Sequence, residues 1–305
     1  MRGRIMNAVF ARMQADENVF FLTADMGINL VEKIQQVFPS RYLNVGIAEQ
    51  NLIGICAGLC NLGFRPVAYT ISQFISHRCY EQIRNDLKLH DYPITLLGTS
   101  AGFDNAPLGP THHIVDDWGA VRTIPGIDIY CPSSVSYADT LVDKILAQPR
   151  PAYVRIPKGA FEQPASRDDT LYLEGARGGP LLISYGSTVQ TCLALQARHA
   201  EVSVLVCNRL RPLQADLVRA ALQRHPSAFV VEDHFPSSGL YNMLCQFCME
   251  HRLACQLSSL GPREEYHLKV GASAGYYHRL YGFDEQGIER ALWGQSHALI
   301  DSPNL

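Results

Sequence analysis

Three short segments place chemistry-capable side chains where packing alone does not ask for them. In Asn44-Val45-Gly46-Ile47-Ala48-Glu49-Gln50-Asn51 a carboxylate opens a stretch rich in apolar residues, Gly and Ala, whose pattern predicts a helix from Ile47 to Leu62. Exposed N–H groups at a helix start favour negative charge, so Glu49 has a structural reason to stand there as well as a chemical one. In Ser72-Gln73-Phe74 an aromatic falls between a strand and a helix, the kind of loop where open α/β sheets bind ligands. Taken alone, Phe74 reads more readily as core than as a stacking platform. In Gly109-Pro110-Thr111-His112-His113, followed by Asp116 and Asp117, a Gly-Pro turn delivers two histidines just before a helix. One is suited to proton or charge chemistry near neutral pH, and the other is expected to be a hydrogen-bonded structural residue.

Other motifs are absent or bland. There is no Gly-x-x-x-x-Gly-Lys-Ser/Thr loop and no Gly-x-Gly-x-x-Gly after the first strand. Gly186-Ser187 is not followed by a nucleophile elbow. Cys245, Cys248 and His251 lie on one face of a predicted helix without a second pair at zinc spacing, and they read as core packing, as do Cys56 and Cys60.

The elements that must position these residues alternate along the chain. Val19–Thr23, Pro66–Tyr69, Ile94–Gly98, Ile127–Tyr130 and Ala152–Arg155 read as strands. Helices are expected over Ile47–Leu62, near Cys79–Leu87 and over Val135–Leu146. A stretch rich in Pro, Gly, Ser and charge follows, and then the alternation restarts. Its strands are Leu181–Tyr185, Val202–Val206 and Ala228–Val231, with helices from Thr188, over Leu213–Gln223 and over Gly239–Glu250. Such alternation predicts two consecutive α/β domains with mainly parallel sheets, residues 1–160 and 179–305, joined by a linker at 161–178.

Composition excludes several classes. At 305 residues the chain has room for one large domain or two ordinary ones of about 150 each. A net charge of -3 argues against a nucleic-acid binder. No run approaches the ~20 apolar residues of a membrane span, and the first residues lack the apolar core of a signal peptide. Nine scattered cysteines, several inside apolar runs, suit a reducing compartment, so a cytoplasmic protein is expected.

Taken in order, Asn-Val-Gly-Ile-Ala-Glu-Gln-Asn, Ser-Gln-Phe, Tyr80-Glu81-Gln82-Ile83-Arg84-Asn85-Asp86 and Gly-Pro-Thr-His-His resemble the transketolase family. Val231-Glu232-Asp233-His234 with Gly239-Leu240 is similar to the Val-Glu-Glu-His…Gly-Gly-Leu of its C-terminal domain. The resemblance covers nearly the whole chain, as a thiamine-diphosphate pyrimidine-binding domain followed by that C-terminal domain. It implies thiamine diphosphate as cofactor, which carries the difficult carbon chemistry. It implies that Glu49 shares a proton with the pyrimidine nitrogen N1′ and that Phe74 stacks on the ring. Asp25 and Ile47 are implied as further cofactor contacts, Asp25 across a dimer. His112 is implied at the substrate oxygens, stabilising developing charge. Arg155, in Val154-Arg155-Ile156-Pro157-Lys158-Gly159, resembles an arginine that grips the sugar phosphate, and Arg2 aligns with a second.

Departures from the family pattern matter too. Leu108 stands where full-length transketolases carry an Asp that recognises a sugar hydroxyl, and Asn29 stands for a phosphate-contacting Ser. No Gly-Asp-Gly…Asn motif for the diphosphate and its metal is present, and a complete transketolase needs roughly twice this length. The resemblance therefore implies a natural split enzyme. Its partner is an N-terminal subunit that holds the diphosphate and Mg2+ or another divalent ion, and the expected assembly is a two-fold heterotetramer. Transfer of a two-carbon ketol unit from a ketose to an aldehyde, in a specialised pathway, is the leading expectation. The alternatives are a 2-oxo acid dehydrogenase β subunit, a deoxyxylulose-phosphate synthase-like enzyme and a non-catalytic scaffold subunit.

Overall fold

Runs of consecutive apolar residues need cover on both faces. In the computed structural model of this chain they find it in two mainly parallel sheets clad by helices. Residues 1–148, 150–176 and 178–294 are described; Arg177 of the expected linker and positions 295–305 of the expected second domain lie outside the described residues. The strands are β1 (Val19–Thr23), β2 (Tyr42–Asn44), β3 (Arg65–Ile71), β4 (Thr95–Thr99), β5 (Asp128–Tyr130) and β6 (Ala152–Ile156). They continue with β7 (Thr170–Leu173), β8 (Leu181–Ser184), β9 (Ser203–Cys207), β10 (Arg209–Arg211), β11 (Ser227–Val231) and β12 (Gln256–Leu260).

The first sheet runs β10-β5-β6-β4-β3-β1-β2 and the second β12-β11-β8-β9-β7. Among the described residues, the strand pairings of β10 with β5 and of β7 with β9 are antiparallel and the others parallel. Helices of the first half are α1 (Arg2–Ala15), α2 (Glu32–Val37), α3 (Glu49–Asn61), α4 (Tyr80–Gln82), α5 (Asp117–Arg122) and α6 (Val135–Leu146). The second half carries α7 (Val189–Arg198), α8 (Ala215–Arg224), α9 (Leu240–His251), α10 (Ala274–Tyr281) and α11 (Glu285–Trp293). The helix expected near Cys79–Leu87 is largely π-helical: α4 is one turn between the wider turns Phe74–Arg78 and Ile83–Lys88. The expected linker is not structureless, because β7 lies within it and completes the second sheet. In return β10, from the second half, extends the first sheet.

From β1 the chain moves to one side for β2 and to the other for β3, so the carboxyl ends of these parallel strands form a topological switch point, where open α/β sheets bind ligands. Asp25 follows β1, Glu49 follows β2, Phe74 follows β3, and the His112 loop follows β4. That one edge gathers four of the expected site residues.

The two halves share a continuous core, in which Leu22, Trp118 and Tyr153 belong to the same cluster as Ile183, Leu240 and Leu244. Through its centre runs a buried polar chain. Trp118 Nε1 donates to the Tyr185 hydroxyl at 2.9 Å, which donates to Glu232 at 3.0 Å. Glu232 also accepts the N–H groups of Leu240 and Tyr241, at 2.8 and 3.0 Å, and so caps α9. A Cβ at residue 239 would stand 2.4 Å from a Glu232 oxygen, so Gly239 is what lets the carboxylate reach the helix. His234 is held neutral: Nδ1 faces the Phe235 carbonyl at 3.0 Å and Nε2 faces the Gly119 N–H at 3.3 Å.

Burial moves these two groups in opposite senses. Desolvation raises Glu232 from 4.5 to about 7 and lowers His234 from 6.5 to about 4. Folded Glu232 binds a proton that the unfolded chain has released, so its contribution is full below about pH 4.5 and fades as pH rises to about 7. His234 acts in the opposite direction between about pH 4 and 6.5 and offsets it. We therefore expect Glu232→Gln, relative to the native chain, to gain stability as pH rises from about 4.5 to 7, by a few kcal/mol on the order of the linked shift. Urea denaturation across that range is the measurement, and parallel pH profiles for the two chains would contradict it.

Candidate active site

Glu49 sits in the first turn of α3 with its side chain only 2% exposed. Arg78 Nη1 donates to its Oε2 at 2.7 Å. The same guanidinium lies over Phe74, 4.2 Å from the ring centroid. The Phe74 ring meets His112 edge-on, with centroids 5.7 Å apart. Glu49, Arg78, Phe74 and His112 are thus one contiguous group assembled from α3, the π-helical turn after β3 and the loop after β4. Sequence reading missed Arg78, although an arginine four residues beyond an aromatic on one helical stretch was a usable signal.

The His112 loop is pinned at both ends. At its base Ile114 N–H donates to the Gly102 carbonyl, and a Cβ on Gly102 would collide with the Asp233 carboxylate. At its tip Gly271 N–H donates to the Pro107 carbonyl, while Val270 packs beside Gly109. His112 Nδ1 is 2.9 Å from Thr111 Oγ1. Behind the loop, Asp116 accepts from Tyr266 and faces His77 at 3.6 Å. The nearby Asp116 carboxylate outweighs desolvation and raises the His77 pKa.

The remaining expected residues are spread around this group, joined to it among the described residues by no hydrogen bond or ring contact. Ile47 is 80% exposed and Leu108 is 54% exposed. Asp25 and Asn29 are exposed and adopt positive φ. Asn44 Oδ1 accepts the N–H groups of both Asp25 and Gly46, tying the Asp25 loop to the segment that leads into Glu49. Arg2 opens α1, half-buried.

Two expectations are corrected. Arg155 is 1% exposed: Nε donates to Asp117 at 3.0 Å, Nη1 to Asp233 at 2.7 Å, and Nη2 to the Ile114 and Asp233 carbonyls. Burial opposes its charge, but the two carboxylates outweigh it and raise the pKa well above normal. With its donors turned inward, Arg155 joins the domains and does not reach a substrate phosphate. His113 is structural but not hydrogen-bonded at Nδ1, which is buried without a partner; its ring packs against Phe103 and Tyr277. Cys245, Cys248 and the other seven cysteines are free thiols.

A buried carboxylate linked to an aromatic ring through one half-exposed arginine side chain fits the aminopyrimidine of thiamine diphosphate. Glu49 and Phe74 would hold it. Among the described residues no group of three His, Cys, Asp or Glu is placed to hold a metal ion, and no helix is long and apolar enough to cross a membrane.

Two consecutive α/β units with mainly parallel sheets define the class, and comparison identifies the family. Residues 1–163 match the model of the transketolase pyrimidine binding domain, and residues 180–288 that of the transketolase C-terminal domain. The chain belongs to the transketolase family. It is 26% identical to one subunit of the apulose-4-phosphate transketolase of Phocaeicola vulgatus, over 90% of each chain. To the corresponding subunit of the Actinobacillus succinogenes apulose-4-phosphate transketolase it is 30% identical, over 73% of this chain and 75% of that one. It is also 30% identical to 1-deoxy-D-xylulose-5-phosphate synthase of Syntrophus aciditrophicus, over 84% of this chain but only 40% of the relative's length. The fold is that of a split gene transketolase solved as an inactive beta4 tetramer, with TM-score 0.83, 21% identity and 95% and 96% coverage. Transketolase from Leishmania mexicana aligns with TM-score 0.78 and 18% identity, over 95% of this chain and 44% of that one.

The Arg155 geometry carries a prediction. Removing one partner of a buried ion pair leaves uncompensated charge and costs about 3–5 kcal/mol. Arg155→Met is expected to lose that much in urea denaturation, whereas a phosphate-gripping arginine would leave stability unchanged and impair only substrate binding.

Proposed function

We propose that this chain is the pyrimidine-binding subunit of a two-subunit transketolase that moves a two-carbon ketol unit from a ketose to an aldehyde. The observation that carries the proposal is the buried Glu49 carboxylate beside Phe74, with His112 at the ring edge. When bound, thiamine diphosphate supplies the nucleophilic carbon that takes up and releases the ketol unit. Glu49 holds a proton against the pyrimidine nitrogen N1′, in a place where water does not compete. Phe74 supplies the flat face that orients the ring, and Asp25 and Ile47 border it. His112, on a loop pinned at base and tip, presents a donor to oxygens where charge develops. Asn29 and Arg2 are assigned to an anionic group farther out on the substrate.

The diphosphate and a divalent ion are assigned to a partner subunit. Two relatives named as single subunits of a transketolase, each matched over most of its own length, support this division. A two-fold assembly of two such pairs in the cytoplasm completes the proposal, and the nine free thiols are compatible with a reducing compartment. The Val154–Gly159 segment also resembles deoxyxylulose-phosphate synthases, but with Arg155 turned inward it lends a synthase-like reaction no support.

Two variants test the proposal in the chain assembled with its partner. Glu49→Gln keeps the shape but cannot share the proton, so turnover should fall at least ~100-fold while the melting temperature holds. Near-native turnover would remove Glu49 from the mechanism. Leu108 offers an exposed apolar surface where family members carry Asp, and an apolar site separates hydroxylated from deoxy acceptors weakly, by about 1–3 kcal/mol. Leu108→Asp should shift preference towards 2-hydroxyaldehydes over their 2-deoxy counterparts, read as the ratio of kcat/KM values. An unchanged ratio would mean that Leu108 does not face the acceptor.

A further inference from the structure

Arg78 is the member of the site group that the proposed chemistry leaves unused. Its guanidinium is flat, conjugated and rich in N–H donors. It makes two contacts, a 2.7 Å hydrogen bond to Glu49 Oε2 and a position 4.2 Å above the Phe74 ring centroid. An aminopyrimidine held by this pair needs the same two partners, the carboxylate for its ring nitrogen and the aromatic face for stacking. Guanidinium and ring therefore compete for one carboxylate and one face. Resting on the reading of Glu49 and Phe74 as the cofactor's pyrimidine contacts, we infer that Arg78 is a built-in placeholder that the aminopyrimidine must displace, and so sets the affinity for the cofactor.

The surroundings suit a side chain that stands in and steps aside. The Glu49 side chain is almost wholly buried, but that of Arg78, which lies over the Phe74 ring, is 44% exposed. Leaving a buried carboxylate unpaired is costly, and the arginine satisfies it. The Arg78 backbone is held independently: Gln50, next to Glu49 on α3, donates from Nε2 to the Arg78 carbonyl at 3.1 Å. The side chain can swing into solvent without moving that anchor. Residues 74–78 form a π-helical turn, a form enriched at functional sites, whose larger number of residues per turn keeps Phe74 and Arg78 on one face.

The test is equilibrium dialysis of thiamine diphosphate against the chain assembled with the subunit that supplies the diphosphate-binding domain, for the native protein, Arg78→Gln, Arg78→Lys and Glu49→Gln. Apparent affinity is reduced by the fraction of molecules in which the site is free, so removing the competitor should tighten binding, by about fivefold or more for Arg78→Gln. Arg78→Lys, which keeps the charge but loses the flat fork, should fall between the two. Glu49→Gln should weaken binding. Unchanged or weaker binding by Arg78→Gln overturns the placeholder; if Glu49→Gln still weakens binding, the cofactor site stands without it. Equal affinity for Glu49→Gln and the native protein, or no binding by any of them, removes the cofactor site and the placeholder together. Should Arg78→Gln fail to assemble, Arg78→Lys decides: tighter binding than native supports the inference, and equal or weaker binding overturns it.

Discussion

Three charges buried together hold this molecule in one piece. Arg155 on β6 lies between Asp117, at the start of α5, and Asp233, just beyond β11 of the other sheet. The Tyr153 hydroxyl donates to Asp117 as well, at 2.7 Å. In so dry a setting none of these groups tolerates the loss of its partners, and the pairing is directional enough to fix how the two sheets meet. Neighbouring groups respond to the same desolvation: His234 gives up its proton and Glu232 retains one more readily.

The position of His112 depends on that junction. Arg155 reaches the Ile114 carbonyl at the root of the His112 loop, and Asp233 sits against Gly102 at the loop's other root. The second domain also steadies the tip through Gly271 and Val270, and it steadies the flank through Tyr266 on Asp116. The second half of the chain thus shapes the site without supplying a member of the Glu49–Phe74–His112 group. Two α/β units merely strung together would not give the loop this support.

A different tension sits at Glu49. A helix start favours its charge, and burial disfavours it. The chain resolves this with a cation from a π-helical turn, a locally unusual backbone at the place where chemistry is expected. Ile28, Ile47 and Leu108 are large apolar side chains left exposed on this half of the chain.

Much of the architecture was legible in the sequence, because continuous apolar runs and 3.6-residue periodicity are local signals. β1 and α6 coincide with their expected limits, Val19–Thr23 and Val135–Leu146. Elements with weak local patterns escaped: β7 hides in a polar, proline-rich stretch, β10 has three residues, and the π-helical turns break the periodicity of an ordinary helix. Of the site, the residue types and their order along the chain were readable, since each motif lies within a few positions. The use made of each charge was not. Arg155 finds its carboxylates 38 positions back and 78 positions ahead, and Glu49 finds Arg78 29 positions on. A sequence shows that an arginine is present; only the packing that dries its surroundings and brings a carboxylate within 3 Å decides whether it binds a ligand, joins two domains or keeps a place for a cofactor.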